Sequence, residues 1–440
     1  MMATVQFFVE LLQLPAVILA FIAMVGLLAQ KATAGEVVTG TVKTGLSLLI
    51  IGGGIGVLLQ ALGPIQQMFE IGLPTERFET FVTFDEAVVS AVQDANVGNV
   101  GAAIGWTLLF GLILHLLLAR FSPFKYIYLT GHMIWVHAGA FAILFHSFGL
   151  NLVVTVALAS VVFGAYMTLA PALAQPFMRK ITGTDEIAFG HGQTLLNVTA
   201  GWLGGLVGKP EDSTEDIEVP QSLNFFRDIA VSTTIVMILV VAAAAGMAAG
   251  AAGIAVLEED ISGGQNWIVF ALLQAVGFTA GMLILLYGVR MLIGEIVPAF
   301  QGIAERVIPG AIPALDVPVI FPFAPNALII GLISGTIGQV VGMATLAAAG
   351  WPVPIPSMIV AFFASGAGAI FGNATGGKRG AWLGGFVWGF VGWWLISFAY
   401  RFQVFGDLSG MGAEGLAFTV PDAIIPGILI WLVARLFGVA

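Results

Sequence analysis

Cysteine is absent from the 440 residues. That excludes disulfides, thiolate metal sites and a phosphocysteine carried on this chain. Charge is nearly as scarce. Lys, Arg, Asp and Glu supply 9% of the residues, against about a quarter in a soluble domain. The 15 basic residues are outnumbered by 25 acidic ones, for a net charge of -10, which argues against a nucleic-acid partner. No GK[ST] string accompanies the glycine-rich runs Gly52–Gly54 and Gly331–Gly335, so they are not nucleotide loops. Close helix contact through small residues explains them better. No HExxH, HxxxH or carboxylate cluster indicates a metal, so neither a metal nor another cofactor is expected.

What remains is apolar. Hydrophobic residues make up 59% of the chain and mean hydropathy is +1.01. Runs of the roughly 20 residues that cross a bilayer lie near 10–30, 44–63, 101–119, 126–148, 150–173, 229–255, 266–297, 326–348, 355–376, 381–400 and 420–438. Between the fifth and sixth, Ile187 to Gly208 is too polar for a span and reads as a re-entrant hairpin. The expectation is an all-α polytopic membrane protein with about 11 transmembrane helices plus re-entrant hairpins. The first run lacks a small-residue cleavage site and reads as a retained span. Lys31, Lys43, Arg120, Lys125, Arg179, Lys180, Lys209 and Arg227 fall on one side of alternating spans. The positive-inside rule makes that side cytoplasmic and the N-terminus external.

A repeat appears at an offset of 234 residues: Gly54, Leu58, Leu59, Pro64 and Gln67 match Gly288, Leu292, Ile293, Pro298 and Gln301. Pro74 then matches Pro309 with one insertion, and only after a change of offset do Asn99 and His137 loosely match Asn326 and Ser365. Each half holds five spans, an odd number, so the halves have opposite topology. Inverted repeats of this kind build transporter sites near the bilayer midplane. The last span, 420–438, has no partner in this pattern.

The stretch Gly288–Gly331 is read as a helix that breaks at Pro298, resumes with Glu305 and Arg306, and stops at Pro309. It delivers Asp316 among Pro313, Leu315, Val317 and Pro318. A carboxylate in such surroundings is expensive unless a ligand, water or cavity receives it. Glu295, in the preceding span, reads equally as a hydrogen bond within the scaffold or as a transported-proton site. Two histidines sit where backbone polar groups are free: His132 in Thr130-Gly131-His132 and His191 in Gly190-His191-Gly192-Gln193. His132 and His137 lie about 140° apart on a helix and do not share a face. His115 and His146 read as satisfied structural imidazoles. Trp388, Trp393 and Trp394 read as an interfacial belt.

Several stretches together resemble one family. They are LTGHMIWVHAG (129–139), the turn at Phe189-Gly190-His191, GKPEDSTEDIEVPQSLNFFRDIAVSTTIVM (208–237), and YGVRMLIGEIVPAFQGIAERVIPGAIPALD with FAPNALIIGLISGTIGQ (287–339). These resemble the ascorbate-type IIC permeases of the bacterial phosphotransferase system. The resemblance implies an elevator-type homodimer in the cell membrane, with a V-shaped scaffold and a mobile core. It divides the chain into scaffold segments 1–70 and 229–300, core segments 71–228 and 301–416 with a cytoplasmic loop at 208–228, and a terminal helix at 417–440.

The resemblance also implies uptake of L-ascorbate or a related polyhydroxylated acid, phosphorylated on arrival by the phosphocysteine of a IIB protein. With no cysteine here, the IIB and IIA partners are expected as separate polypeptides. The chain would then be the membrane component of a protein-phosphocysteine–L-ascorbate phosphotransferase, with no residue assignable as catalytic base. Ligand positions carried over are Asp316, His132, His191 and the pair Thr83-Phe84. Two further positions depart from the family's glutamines, Val136 and Gly192, each followed by a polar residue, His137 and Gln193. Transport is therefore a firmer expectation than ascorbate. An ion-coupled secondary transporter on the same scaffold, with Asp316 or Glu295 carrying the proton, is the alternative.

Overall fold

The computed structural model describes residues 15–72, 79–217, 229–306 and 308–438. The start of the first expected span, Pro74, loop residues 218–228 and the side chains of Glu305 and Arg306 lie outside what is described. Helices dominate. The first half carries α1 (Pro15–Ala29), α2 (Ala34–Gly72), α3 (Asp85–Ala95), α4 (Val100–Phe121), α5 (Gly131–Ser147), α6 (Leu152–Thr182) and α7 (Thr194–Val207). The second half carries α8 (Ile229–Ala252), α9 (Trp267–Arg306), α10 (Pro325–Ala348), α11 (Gly366–Arg401) and α12 (Pro421–Leu436). Among the described residues, 7 helical stretches are long and apolar enough to cross a membrane, so the protein is polytopic. One of these, Met358–Arg401, reverses at Gly377, whose φ of 56° and ψ of -144° fall outside the helical region. Glycines let the two arms touch, since a Cβ on Gly372 would sit 2.1 Å from the Gly380 carbonyl oxygen. The segment read as a re-entrant hairpin folds as a two-residue strand, a turn and the 14-residue α7, which is about 21 Å long and too short to span.

Pro298 does not break its helix. α9 runs unbroken through it to Arg306, as α2 runs through Pro64. Proline removes one N–H and crowds the preceding turn, but packing against neighbouring helices tolerates this in membranes. Here the Gln30 side chain also donates to the Pro298 carbonyl. α2 and α9 lie against each other through Gly54 and Gly281. A Cβ at Gly54 would stand 2.5 Å from the Leu285 nitrogen, and one at Gly281 2.7 Å from the Leu58 nitrogen. The small-residue reading therefore holds at Gly54, whereas Gly52 and Gly53 face open space. Lys43 Nζ reaches Glu295 Oε1 at 3.1 Å across the same helix pair, which favours the scaffold role for Glu295. We expect Gly281→Leu to force these helices apart and cost about 3 kcal/mol, as over-packing of a tight contact does. Unfolding in graded detergent mixtures would read this, and an unchanged midpoint would refute the close contact.

Among the described residues, the helix-only expectation missed six short strands: β1 (Thr80–Thr83), β2 (Tyr126–Tyr128), β3 (Ala188–Phe189), β4 (Ile312–Leu315), β5 (Val353–Pro354) and β6 (Leu416–Ala417). With two to four residues each, they show no periodicity to read. They pair as two three-stranded parallel sheets, ordered β5-β1-β6 and β2-β4-β3. In each sheet the central strand comes from one half of the chain and both flanking strands from the other. Pairing satisfies the backbone groups that non-helical chain would otherwise leave bare between apolar helices. The last helix, unpartnered in the sequence repeat, has a counterpart here: β6 leads into α12 as β3 leads into α7.

The tryptophan belt is also corrected. Trp388 and Trp393 are buried, and their indole N–H groups donate to Asn197 Oδ1 and the Pro354 carbonyl, both at 3.1 Å. Buried indoles take such partners because an unpaired N–H is costly. On the predicted cytoplasmic side, Glu215 accepts from the N–H groups of Asn326 and Ala327 at 3.2 and 3.0 Å, capping α10. Burial pushes the Glu215 carboxyl above its ordinary range, opposed by these hydrogen bonds.

Candidate functional site

Parallel strands end on the same side, and this places the site. In the β2-β4-β3 sheet, Tyr128 registers with Ala314 and Phe189 with Leu315. Leu129 N–H donates to the Ala314 carbonyl at 3.0 Å, and Gly190 N–H to the Leu315 carbonyl at 2.8 Å. The residues that leave the three strands are therefore neighbours: Thr130-Gly131-His132, Gly190-His191-Gly192 and Asp316. Thr130 Oγ1 donates to the Gly190 carbonyl and clips the two outer turns together. Three segments far apart in sequence thus deliver two imidazoles and one carboxylate to one place.

His132 Nδ1 lies 3.9 Å from Asp316 Oδ2, and His191 Nε2 lies 3.7 Å from Asp316 Oδ1. The two rings are 5.7 Å apart, centre to centre. These separations exceed hydrogen-bond length, so the three groups remain free to share a polar ligand. Asp316 Oδ1 is held by its own helix turn, accepting from Val317 N–H at 2.6 Å. The side chains of Asp316 and His132 are 39% and 43% exposed, while that of His191 is 9% exposed.

The triad's ligand atoms all fall within 4.8 Å of one another, a spacing that one cation could bridge. Its surroundings do not fit a resident metal. A metal-bound imidazole passes its second N–H to an acceptor, yet His191 Nδ1 is buried without a partner among the described residues. The set suits hydroxyl groups better, since a carboxylate accepts and each neutral imidazole both donates and accepts.

Thr83 and Phe84 lie at the end of β1, in the other sheet. Phe84 N–H donates to the Ala417 carbonyl at 3.2 Å, and its ring is 53% exposed. Glu86, two residues on, is close enough to add its negative charge to the field at Asp316. Val136 is fully buried and offers only apolar surface. Gly192 contributes backbone, because a Cβ there would stand 2.7 Å from His137 Cε1 and 2.8 Å from Val420 Cγ1. His137 fills that space. Its ring stacks on Tyr166 at 4.3 Å, and its Nδ1 donates to the Met133 carbonyl at 2.8 Å, which leaves Nε2 as a buried acceptor without a partner. His132 and His137 do face different ways, one exposed and one buried. His115 is satisfied as expected, bonded to Thr168 Oγ1 at 2.9 Å and to Tyr128 N–H at 3.1 Å.

Sequence reading missed Asp422, which lies behind the triad. Asp422, fully buried, accepts from Thr194 N–H at 2.9 Å, Leu195 N–H at 2.7 Å and the Tyr166 hydroxyl at 3.1 Å. Asp85 accepts from Thr419 N–H at 2.7 Å, from the Thr419 hydroxyl and from Val420 N–H at 3.3 Å. The signal that exposed Asp316, a lone acid inside an apolar run, was equally present at Asp422. Outside the membrane-embedded region, Arg179 pairs with Asp185 ahead of β3 and holds the Asp185 carboxyl below its ordinary range.

Comparison with known proteins agrees with this architecture. The model of the EIIC-GAT family, described as the PTS system sugar-specific permease component, matches residues 10–422. A protein of Mycoplasma pneumoniae named the ascorbate-specific PTS system EIIC component is 27% identical over 432 residues, covering 89% of this chain. The aligned region covers 65% of that relative's length. A family match across nearly the whole sequence, on a chain with several membrane-crossing helices, leads to one conclusion: this multi-pass cell-membrane protein belongs to the sugar-specific permease components of the phosphotransferase system.

Proposed function

We propose that this protein takes up L-ascorbate or a related polyhydroxylated acid and presents it to a IIB protein for phosphorylation. The observation that carries the proposal is the convergence of His132, His191 and Asp316 from three separate segments. Each hydrogen bond from this set to a ligand hydroxyl is worth roughly 1 kcal/mol, and more where the carboxylate is the acceptor. Thr83 and Phe84 would close the site from the other sheet, while Val136 and Gly192 shape it without contributing polar side chains. In the phosphorylation step a substrate hydroxyl attacks phosphorus, the S–P bond of the IIB phosphocysteine breaks and an O–P bond forms. The hydroxyl proton passes to a base, and no residue is assigned to that role.

The reading includes an elevator-type homodimer of about eleven spans with an inverted repeat, in which the scaffold segments 1–70 and 229–300 hold the core. The reciprocal make-up of the two sheets supports the repeat, and the continuous α2 and α9 with their Gly54–Gly281 contact support a rigid scaffold. Separate IIB and IIA proteins are the proposed partners. Phosphoenolpyruvate-dependent uptake of labelled L-ascorbate into vesicles, with and without a cognate IIB, tests the proposal. Accumulation of the phosphorylated product only with IIB is expected. Uptake indifferent to IIB and driven by a pH or Na⁺ gradient would overturn it in favour of ion coupling.

A further inference from the structure

We infer that Asp422 is a positioning residue for His191, so that the last helix sets the geometry of the site. The inference rests on the reading above only in taking His191 as a ligand-facing group. Four contacts converge on the 191–195 turn from one residue and its immediate partner. Asp422 N–H donates to the Gly192 carbonyl at 3.2 Å. Its carboxylate accepts from Thr194 and Leu195 N–H at 2.9 and 2.7 Å, at the start of α7. The Tyr166 hydroxyl shares its one proton between Asp422 Oδ2 at 3.1 Å and the His191 carbonyl at 3.3 Å. A carboxylate at a helix N-terminus is favoured by the free N–H groups and the helix dipole. Among the described residues His191 itself has no such anchor: its Nδ1 is unpartnered and its Nε2 faces Asp316. The imidazole is therefore held through its backbone.

The same strap reaches the other sheet. β6 pairs Leu416 and Ala417 with Val82 and Thr83, and Asp85 holds Thr419 and Val420. Residues 416–422 thus connect the Thr83-Phe84 end of β1 to the His191 turn. Helix α12 joins the two sheets at the site and is more than an added span.

Diethyl pyrocarbonate labelling of the purified protein tests this without requiring any ligand, so a wrong substrate leaves the result unaffected. Asp422→Asn keeps the side-chain volume but turns one acceptor into a donor facing N–H or O–H groups. Carbethoxylation of His191, followed by peptide mass spectrometry, is expected to speed up about tenfold, as loss of buried charge-assisted bonds allows local opening. His115, with both ring nitrogens bonded, serves as the control for general loosening. An unchanged His191 rate, or a parallel rise at His115, overturns the inference. Should Asp422→Asn fail to fold, Tyr166→Phe keeps the stack on His137 and removes the hydroxyl with its contacts to Asp422, the His191 carbonyl and the Tyr128 hydroxyl. It is then expected to raise the His191 rate about threefold, and an unchanged rate overturns the inference equally.

Discussion

Asp316→Asn is expected to weaken ligand binding about a hundredfold while leaving the ligand-free protein nearly as stable. The asymmetry follows from the surroundings of the carboxylate. Within the protein its hydrogen bond is the one from Val317 N–H, which an asparagine oxygen can also accept. Its other oxygen faces His132 across 3.9 Å, and the bonded oxygen faces His191 across 3.7 Å. A ligand hydroxyl bonded to a carboxylate gains about 1.5–3 kcal/mol. Two such bonds lost or weakened amount to about 3 kcal/mol, or about a hundredfold. A melting-shift titration with L-ascorbate and other sugar acids reads both quantities, since a ligand adds RT ln(1 + [L]/Kd) to stability. A variant that keeps the full shift would remove Asp316 from the site, and a variant that melts early without ligand would make it structural.

Asp85→Ala is expected to do the opposite, costing the protein about 3–5 kcal/mol of stability. Asp85 follows β1 as Asp316 follows β4, but it is only 6% exposed and it is occupied. Its carboxylate takes three donors from Thr419 and Val420. Alanine would leave those donors buried and unpaired, and would loosen β6 from β1. Unfolding in graded detergent mixtures measures the loss, and Asp85→Asn should fall between the two. Stability within about 1 kcal/mol of the parent would show that the latch is not formed. Taken together, the two substitutions separate carboxylates that follow the two central strands: one is latched by three donors from residues 419–420, the other accepts from Val317 N–H and faces two imidazoles at a distance.

Several features were readable before any coordinates. The hydrophobic runs marked a polytopic membrane protein, and the lone acid and the two glycine-flanked histidines pointed to Asp316, His132 and His191. Glu295 was left open between two roles, of which the ion pair with Lys43 favours the bond to a facing helix. Other features were misread for identifiable reasons. Proline at 298 looked like a break because its local cost is visible in sequence, while the packing that tolerates it is not. Trp388 and Trp393 looked interfacial because amphipathic rings favour that layer, yet Asn197 and the Pro354 carbonyl gave their N–H groups partners inside. Strands of two to four residues carried no pattern.

By itself, the sequence determined that this chain lives in a membrane and which polar groups are costly there, because transfer from water to an apolar phase depends on composition over a short window. Only the tertiary structure decided which of those groups is latched and which is free. Asp85, Asp422 and Asp316 are all acids near apolar runs. Their fates diverge because partner N–H groups from residues 419–420 and 194–195 face the first two, whereas two imidazoles at a distance face the third. Hydrogen bonds are short-ranged and directional. Which donors meet which carboxylate is set by the parallel pairing of strands hundreds of residues apart, and no local stretch of sequence records that.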